Sequence, residues 1–363
     1  MARSTFRNAV FYGVTLLLLC LFAEIAFRTW LSVGKNYPFW RPDLALQRTY
    51  YYETYRLLDS SIRRDDGQFD ILILGGSVVA DEWHSTVARR LRDTLRRRTG
   101  NPNIRYWNVA NLGHCSRDNL EKYRLFARQR FDLVLYYEAI NETRLNNIPR
   151  PWFKPDYTHY AWYDEIELNR RHPEMRFTVL PFTLHLLGHR LAATFGLRRY
   201  VDNRPNSEDQ RNGGDLKTPP VYRANLESIA RLARQRGEPL LFLNFAYYVP
   251  QTVRYAPAGK TDVSAYSPCG LWSPIETWGI LENVEKGILT HQKIMRDLAK
   301  NHPEVYYLDM HPLMPKHARY YCDLCHLTED GSAAFAGALT TYLLGEIEIL
   351  PLNDSRQLLA KKQ

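Results

Sequence analysis

Two phosphate-binding signatures are missing from this 363-residue chain. Gly75-Gly76 close an apolar run, yet neither a G-x-G-x-x-G pattern nor a Walker lysine accompanies them, so nucleotide chemistry is not indicated. No internal repeat is found. No nucleic-acid-binding motif accompanies the formal charge of +9 either, and the arginine-rich "VARRLRDTLRRRTG" has the spacing of a solvated helix face. Cysteine is scarce, at five residues. Cys322, Cys325 and His326 spell the C-x-x-C-H of covalent haem attachment, but no second copy and no small-cytochrome composition support it. A thioredoxin-like role for Cys322 and Cys325 is disfavoured, because that motif follows the first strand of its fold and these lie near the end.

What is present suits a folded protein. A hydrophobic content of 45% is enough to bury one large domain with an insertion, or two modest ones. After Arg3 and Arg7 comes "AVFYGVTLLLLCLFAEIAF", whose only charge is Glu24. At about 1.5 Å per residue it can cross a hydrocarbon core of about 30 Å. Positive residues before it predict an N-in, C-out orientation. A signal peptide is the competing reading, and Ala23-Glu24-Ile25-Ala26 is a poor cleavage site, so an uncleaved anchor is expected. Cys115, Cys269, Cys322 and Cys325 lie beyond the span and could form up to two disulfides in an oxidising compartment, with three full pairings open.

From Phe69 onward the pattern becomes regular. Short apolar runs at "FDILILGG", "IRYWNVA", "FDLVLYY", "PLLFLNFAYY" and "EVYYLDM" read as buried parallel strands, with amphipathic helical stretches between them. This alternation predicts an α/β fold, a doubly wound parallel five-stranded sheet sandwiched by helices, whose ligands bind at the C-terminal strand ends. The expected division is an anchor over 1–33, a linker over 34–68 packing on the domain, a domain over 69–345 and a tail over 346–363. Residues 147–220 are too long for a connection and read as an insertion. Within it, "PWFKPDYTHYAWYDE" is aromatic, "FTVLPFTLHLLGHRLAATFG" is an apolar helix interrupted by Pro181, and 203–220 looks like a flexible loop.

Three of the strands end on residues that can carry chemistry. Ser77 follows the first, on a Gly-lined turn before a helix, where a hydroxyl is exposed to ligand. Gly113 follows the second and Asn141 the third, placing a backbone N–H and a side-chain amide above neighbouring strands, as an oxyanion hole requires. In "CDLCHLTEDG", Asp323 and His326 are three residues apart, so the carboxylate can reach the imidazole and fix its tautomer while the other ring nitrogen faces a serine.

With these residues in this order, the chain resembles the SGNH (GDSL-like) hydrolase family from Phe69 to about Leu344. Ser77 matches the first-block nucleophile, Gly113 the second-block glycine, Asn141 the third-block asparagine, and Asp323 with His326 the last block. The pattern departs at Gly76, where the family carries Asp, and at Ala139 and Glu142 around Asn141. The resemblance implies a flavodoxin-like sheet and an acyl-enzyme mechanism without cofactor or metal. Ser77 would be the nucleophile, His326 the general base and acid, and Asp323 its orienting partner, with Ser77, Gly113 and Asn141 as the oxyanion donors. It also favours the Asp-His reading of residues 322–326 over the haem reading.

The function expected is an esterase removing O-acyl groups, O-acetyl above all, from an exported or cell-surface glycan. Such a protein would sit in the bacterial inner membrane and face the periplasm or exterior. An O-acyltransferase using the same acyl-enzyme and a noncatalytic glycan-binding module are the alternatives. The aromatic insertion, following Asn141, is expected to offer flat rings to sugars. His185 and His189 share a helix face without an evident acidic neighbour and read as structural rather than metal-binding. Asn141-Glu142-Thr143 also fits a glycosylation sequon, which conflicts with catalytic use of Asn141.

Overall fold

The computed structural model describes residues 2–81, 85–201, 210–253, 265–266, 269 and 277–346. The tail expected beyond 346 and residues 203–209 of the expected loop lie outside them. The chain divides into two compact units, Met1–Tyr55 with Asp156–Val201, and Arg56–Pro155 with Asp202–Gln363.

The second unit holds a five-stranded, all-parallel sheet. Its strands are β1 (Phe69–Gly75), β2 (Ile104–Asn108), β3 (Leu133–Tyr137), β4 (Leu240–Leu243) and β5 (Val305–Leu308), in the order β2-β1-β3-β4-β5. Each falls in one of the five apolar runs. The fourth run is longer than its strand, because after Asn244 N–H donates to Leu308 O the chain leaves the ladder, Tyr248 N–H donating to Leu324 O. Alternation along β1 feeds both faces of the sheet. Ile71 and Ile73 pack with Leu91 and Leu95 of α2 (Val87–Thr99) and with Phe335 and Leu339 of α9 (Glu329–Glu346). Leu72 and Leu74 face the other way, toward α3 (Ser116–Leu125) and α7 (Pro219–Arg236). Each fully buried aliphatic side chain here contributes about 1.5–3 kcal/mol. α8 (Leu281–Asn301) serves both clusters, with Ile288 in one and Met295 in the other.

One charge interrupts this apolar strand. Asp70 is fully buried, and its carboxylate accepts from Arg105 Nε and Nη2, each at 2.6 Å, and from the Trp107 indole N–H at 2.8 Å. Satisfied on β2, it pairs the edge strand to β1 without leaving a bare buried charge. Residues 210–220, expected as part of a loop, are held in place: Asn146 Oδ1 accepts from the backbone N–H of Lys217 (2.6 Å) and Thr218 (3.0 Å).

The first unit is built on α1 (Ala2–Lys35), with α5 (Ala161–Arg171) and α6 (Leu180–Thr194). From Phe6 onward α1 is long and apolar enough to cross a membrane, with a mean hydropathy of 2.2 over an 18-residue window that is not buried by protein; a signal sequence meets the same criteria. Pro181 does not interrupt the apolar helix as expected. It lies in the first turn of α6, where the missing N–H costs nothing. The aromatic stretch also corrects the sequence reading. Tyr157, Tyr160 and Tyr163 are buried, Tyr157 against Tyr163 and His159, and Tyr160 against His159, so these three rings fill the unit's own core rather than offering faces to a sugar, while Trp152 of the same stretch is 42% exposed.

Two glycines of α9 should respond oppositely to a methyl group. A Cβ on Gly331 would collide with Tyr320 O, whereas one on Gly337 meets nothing within 4 Å. Gly331→Ala is expected to cost about 1–3 kcal/mol, and Gly337→Ala to add about 0.4–1 kcal/mol. Urea midpoints check both, and a neutral Gly331→Ala would contradict the packing of α9 on the preceding turn.

Candidate active site

The C-terminal strand ends converge on one place. After β1 the chain makes a tight turn, Ala80 N–H donating to Ser77 O at 3.2 Å, and this keeps Ser77 at the sheet edge. Gly75 has no room for a side chain, since a Cβ would meet Val79 Cγ2 at 2.6 Å and Tyr137 O at 2.8 Å. Ser77 Oγ lies 2.8 Å from His326 Nε2, and His326 Nδ1 lies 2.7 Å from Asp323 Oδ2. All three are at least nine-tenths buried.

The His-Asp turn is tied from several directions. Asp323 Oδ1 accepts from the backbone N–H of Cys325 (3.0 Å) and His326 (2.8 Å), and Cys322 N–H donates to His326 O at 2.8 Å. The carboxylate therefore orders its own turn while one oxygen remains for the imidazole. Cys322 is disulfide-bonded to Cys269, one bridge where the sequence allowed up to two, and Cys115 and Cys325 are buried outside it. Thioether attachment of haem needs both thiols of the motif, so the Cys322 bond rules that reading out. Burial, with Asp323 beside it, pushes the Cys325 thiol well up and keeps it protonated. Asp323, Cys325 and His326 place ligand atoms within 4.8 Å of one another, but could hold a metal ion only by giving up the hydrogen bonds just described.

Gly113 and Asn141 approach the same turn. Gly113 adopts a left-handed φ of 70°, its carbonyl fixed by Arg144 Nη2 at 2.8 Å. Asn141 Nδ2 donates to His114 O at 3.1 Å, and a Cβ built on Gly76 would lie only 2.6 Å from that nitrogen. The amide thus abuts the peptide that carries Ser77. This explains the departure at Gly76: a larger residue would displace the amide. Ala139 is compatible too, because its φ of −159° lies outside the left-handed region that would call for glycine. Glu142 accepts from Ser116 N–H (2.9 Å) and Ser116 Oγ (2.6 Å), joining α4 (Ile140–Arg144) to the start of α3. Asn141 is buried and its amide engaged, which is incompatible with the sequon reading.

Several positioning groups had no sequence signal. Glu138 Oε1 accepts from Asn141 N–H at 2.6 Å, and Tyr222 Oη donates to Glu138 O at 3.0 Å. Trp278 Nε1 lies 3.4 Å from Asn141 Oδ1, with its ring 6.3 Å from that of His326. Burial pushes the His114 imidazole down to about 3, so it stays neutral. In the other unit, His189 Nδ1 meets Asp164 Oδ2 at 2.8 Å and His185 Nδ1 meets His172 Nε2 at 3.0 Å. An acidic neighbour for this pair therefore exists, brought by α5 from distant sequence.

A cavity of about 690 Å³ opens at Ser77 and His326. Among the described residues its wall includes Asp81, Ser85, Thr86, Arg89, Tyr106 and Thr328, and the Cys269–Cys322 disulfide borders it. Gly113 and Asn141 are not part of that wall.

No protein-family model matches the chain, and no curated protein does. Solved structures similar to it include a lipase/acylhydrolase from Enterococcus faecalis (12% identity, covering 78% of this chain and 100% of that one, TM-score 0.40). Others are a GDSL-like lipase from Bacteroides thetaiotaomicron (12%, 83% and 98%, TM-score 0.42) and an acetyl xylan esterase (11%, 76% and 100%, TM-score 0.38). The chemistry of this chain has to be read from its own side chains.

Burial, reinforced by Glu142, pushes the Glu138 carboxyl well above its ordinary range, so it is protonated in the folded state. A raised folded value contributes stability that is full below the unfolded glutamate range and lost as pH rises through the folded value. Glu138→Gln, neutral at every pH, is expected to gain in melting temperature relative to wild type as pH rises from about 5 to 9. A constant difference across that range would contradict the protonated assignment.

Proposed function

We propose that the protein is a membrane-anchored serine esterase that removes O-acetyl or other short O-acyl groups from an exported or cell-surface glycan. The observation that carries this reading is the continuous Ser77–His326–Asp323 hydrogen-bond chain, with its serine end opening into a cavity of mixed polar and apolar lining. In the proposed reaction Ser77 Oγ attacks the ester carbonyl as its proton passes to His326 Nε2. Asp323 holds Nδ1–H, fixing the tautomer and stabilising the imidazolium. Collapse of the tetrahedral species expels the sugar oxygen, which takes the proton from His326. Water, deprotonated by His326 in turn, then attacks the acyl carbonyl, and as the Ser77 Oγ–acyl bond breaks His326 returns the proton to Ser77 and the acyl group leaves as its carboxylic acid.

The negative charge on the carbonyl oxygen would be met by the N–H groups of Ser77 and Gly113 and by Asn141 Nδ2. Because that amide nitrogen already spends one hydrogen on His114 O, its plane is fixed before substrate arrives. The glycan preference rests on the cavity wall, where hydroxyl and charged groups suit sugar hydroxyls and offer little to a long acyl chain. α1 would anchor the protein in the inner membrane, with the rest facing the periplasm or exterior.

A fluorophosphonate probe tests the nucleophile. Wild type is expected to be labelled at Ser77 and to release acetate from acetylated oligosaccharides in preference to cleaving long-chain esters. Ser77→Ala should abolish labelling, and Asp323→Asn should lower kcat by about 10⁴-fold. Equal labelling of wild type and Ser77→Ala would refute the assignment. Efficient cleavage of long-chain esters with acetylated oligosaccharides untouched would overturn the substrate class alone.

The amide donor has its own test. Gly76→Ala should displace the Asn141 amide and lower kcat by up to about 10²-fold with little change in KM. An unchanged kcat would remove Asn141 from the oxyanion site.

A further inference from the structure

α6 is apolar on two opposite sides. Phe182 and Leu186 are buried with Leu31, Tyr37 and Leu168 in the core of the first unit. Leu184, Leu191 and Phe195, spaced by seven and four residues, form a second stripe that is 62%, 57% and 74% exposed, and Phe177 just before the helix is 78% exposed. A surface helix of a water-soluble protein is polar on its outer side; one that is apolar all round is covered by protein or by lipid.

The attachment of α6 to α1 says which cover fits. Glu24, the only charge in the apolar run of α1, accepts from Val179 N–H at 3.0 Å and Thr178 Oγ1 at 2.8 Å, immediately before α6. Arg28 pairs with Glu24 at 2.6 Å and donates to Phe177 O at 3.0 Å. The start of α6 is thus stitched to the point on α1 where charge first appears. From Phe6 to Glu24 the helix rises about 27 Å, close to the roughly 30 Å of a hydrocarbon core. Aromatic and cationic groups gather there and just beyond it, as they do at bilayer interfaces: Arg190 lies 5.3 Å over the Trp30 ring, and Arg176 lies 5.8 Å over Phe177.

We infer that α6 is an interfacial helix, lying at the outer surface of the bilayer with the Phe177, Leu184, Leu191 and Phe195 stripe seated among lipid headgroups and upper acyl chains. The inference rests on α1 spanning that bilayer. An interfacial helix of this kind sinks its apolar side about 5–10 Å into the headgroup boundary, and flanking arginines favour anionic lipid. The protein would then touch the membrane through two elements, a crossing helix and a resting one, and the resting helix would restrict tilting of the first unit about its anchor.

The test uses the full chain in vesicles of phosphatidylcholine with a minority of phosphatidylglycerol. An environment-sensitive fluorophore is placed without reductant on Leu184→Cys, Leu191→Cys or Leu18→Cys in a Cys20→Ser background, where the Cys115 and Cys325 thiols are buried. Labels at 184 and 191 are expected to be quenched about threefold more by headgroup-level nitroxide lipid than by aqueous iodide, with the label at 18 quenched from deeper in the bilayer. Iodide access at 184 and 191 with Leu18 still in lipid would overturn the interfacial helix and leave the anchor standing. Shielding of 184 and 191 from both quenchers would overturn it in favour of a second copy or another protein on the stripe. Iodide access at Leu18 would overturn the anchor itself, and the interfacial helix with it.

Discussion

The Asp323 carboxylate is the interaction on which the candidate site depends. One oxygen takes two backbone N–H groups of its own turn and the other takes the His326 ring. Backbone order and imidazole orientation are thereby set by a single buried anion, and the two requirements cannot be relaxed separately. Around it lie the Cys269–Cys322 bond, the Cys322-to-His326 backbone contact and the Tyr248-to-Leu324 contact from the segment after β4. Together they hold a short irregular turn firmly enough for His326 Nε2 to remain within hydrogen-bond reach of Ser77.

The sheet supplies the rest of the geometry. In a parallel sheet all strands end on the same edge, so turns from distant parts of the sequence meet there. Ser77, Gly113 and Asn141 follow β1, β2 and β3, which are adjacent in the order β2-β1-β3. The close approach at Gly76 makes the serine turn and the Asn141 amide one packed object rather than two neighbouring loops. Glu138 reinforces it: kept neutral by burial, it accepts the Asn141 N–H without placing an anion beside that amide.

Much of this was legible in the linear chain. Five apolar runs separated by amphipathic helices can be buried in few ways, and they specify a parallel sheet because each connection is long enough for a crossover. The serine, glycine, asparagine and Asp-x-x-His each follow a strand, so their convergence followed from the topology. Failures came where the same residue type serves two environments. Tyrosines of the 151–165 stretch read equally well as sugar platforms or as core, and Tyr157, Tyr160 and Tyr163 proved to be core. His185 and His189 were judged without Asp164, since no periodicity links α5 to α6.

The sequence by itself determined the strand number, the alternation with helices, the apolar N-terminal helix and the residue types at the strand ends, because local periodicity and residue chemistry are properties of neighbours along the chain. Only the tertiary structure decided which cysteine pairs with Cys322, that Glu138 and Trp278 support Asn141, and that α6 is tied to Glu24. All but the Glu138–Asn141 contact join segments from fifty to more than a hundred residues apart, and which buried polar group finds which partner is set by packing in three dimensions rather than by spacing in one.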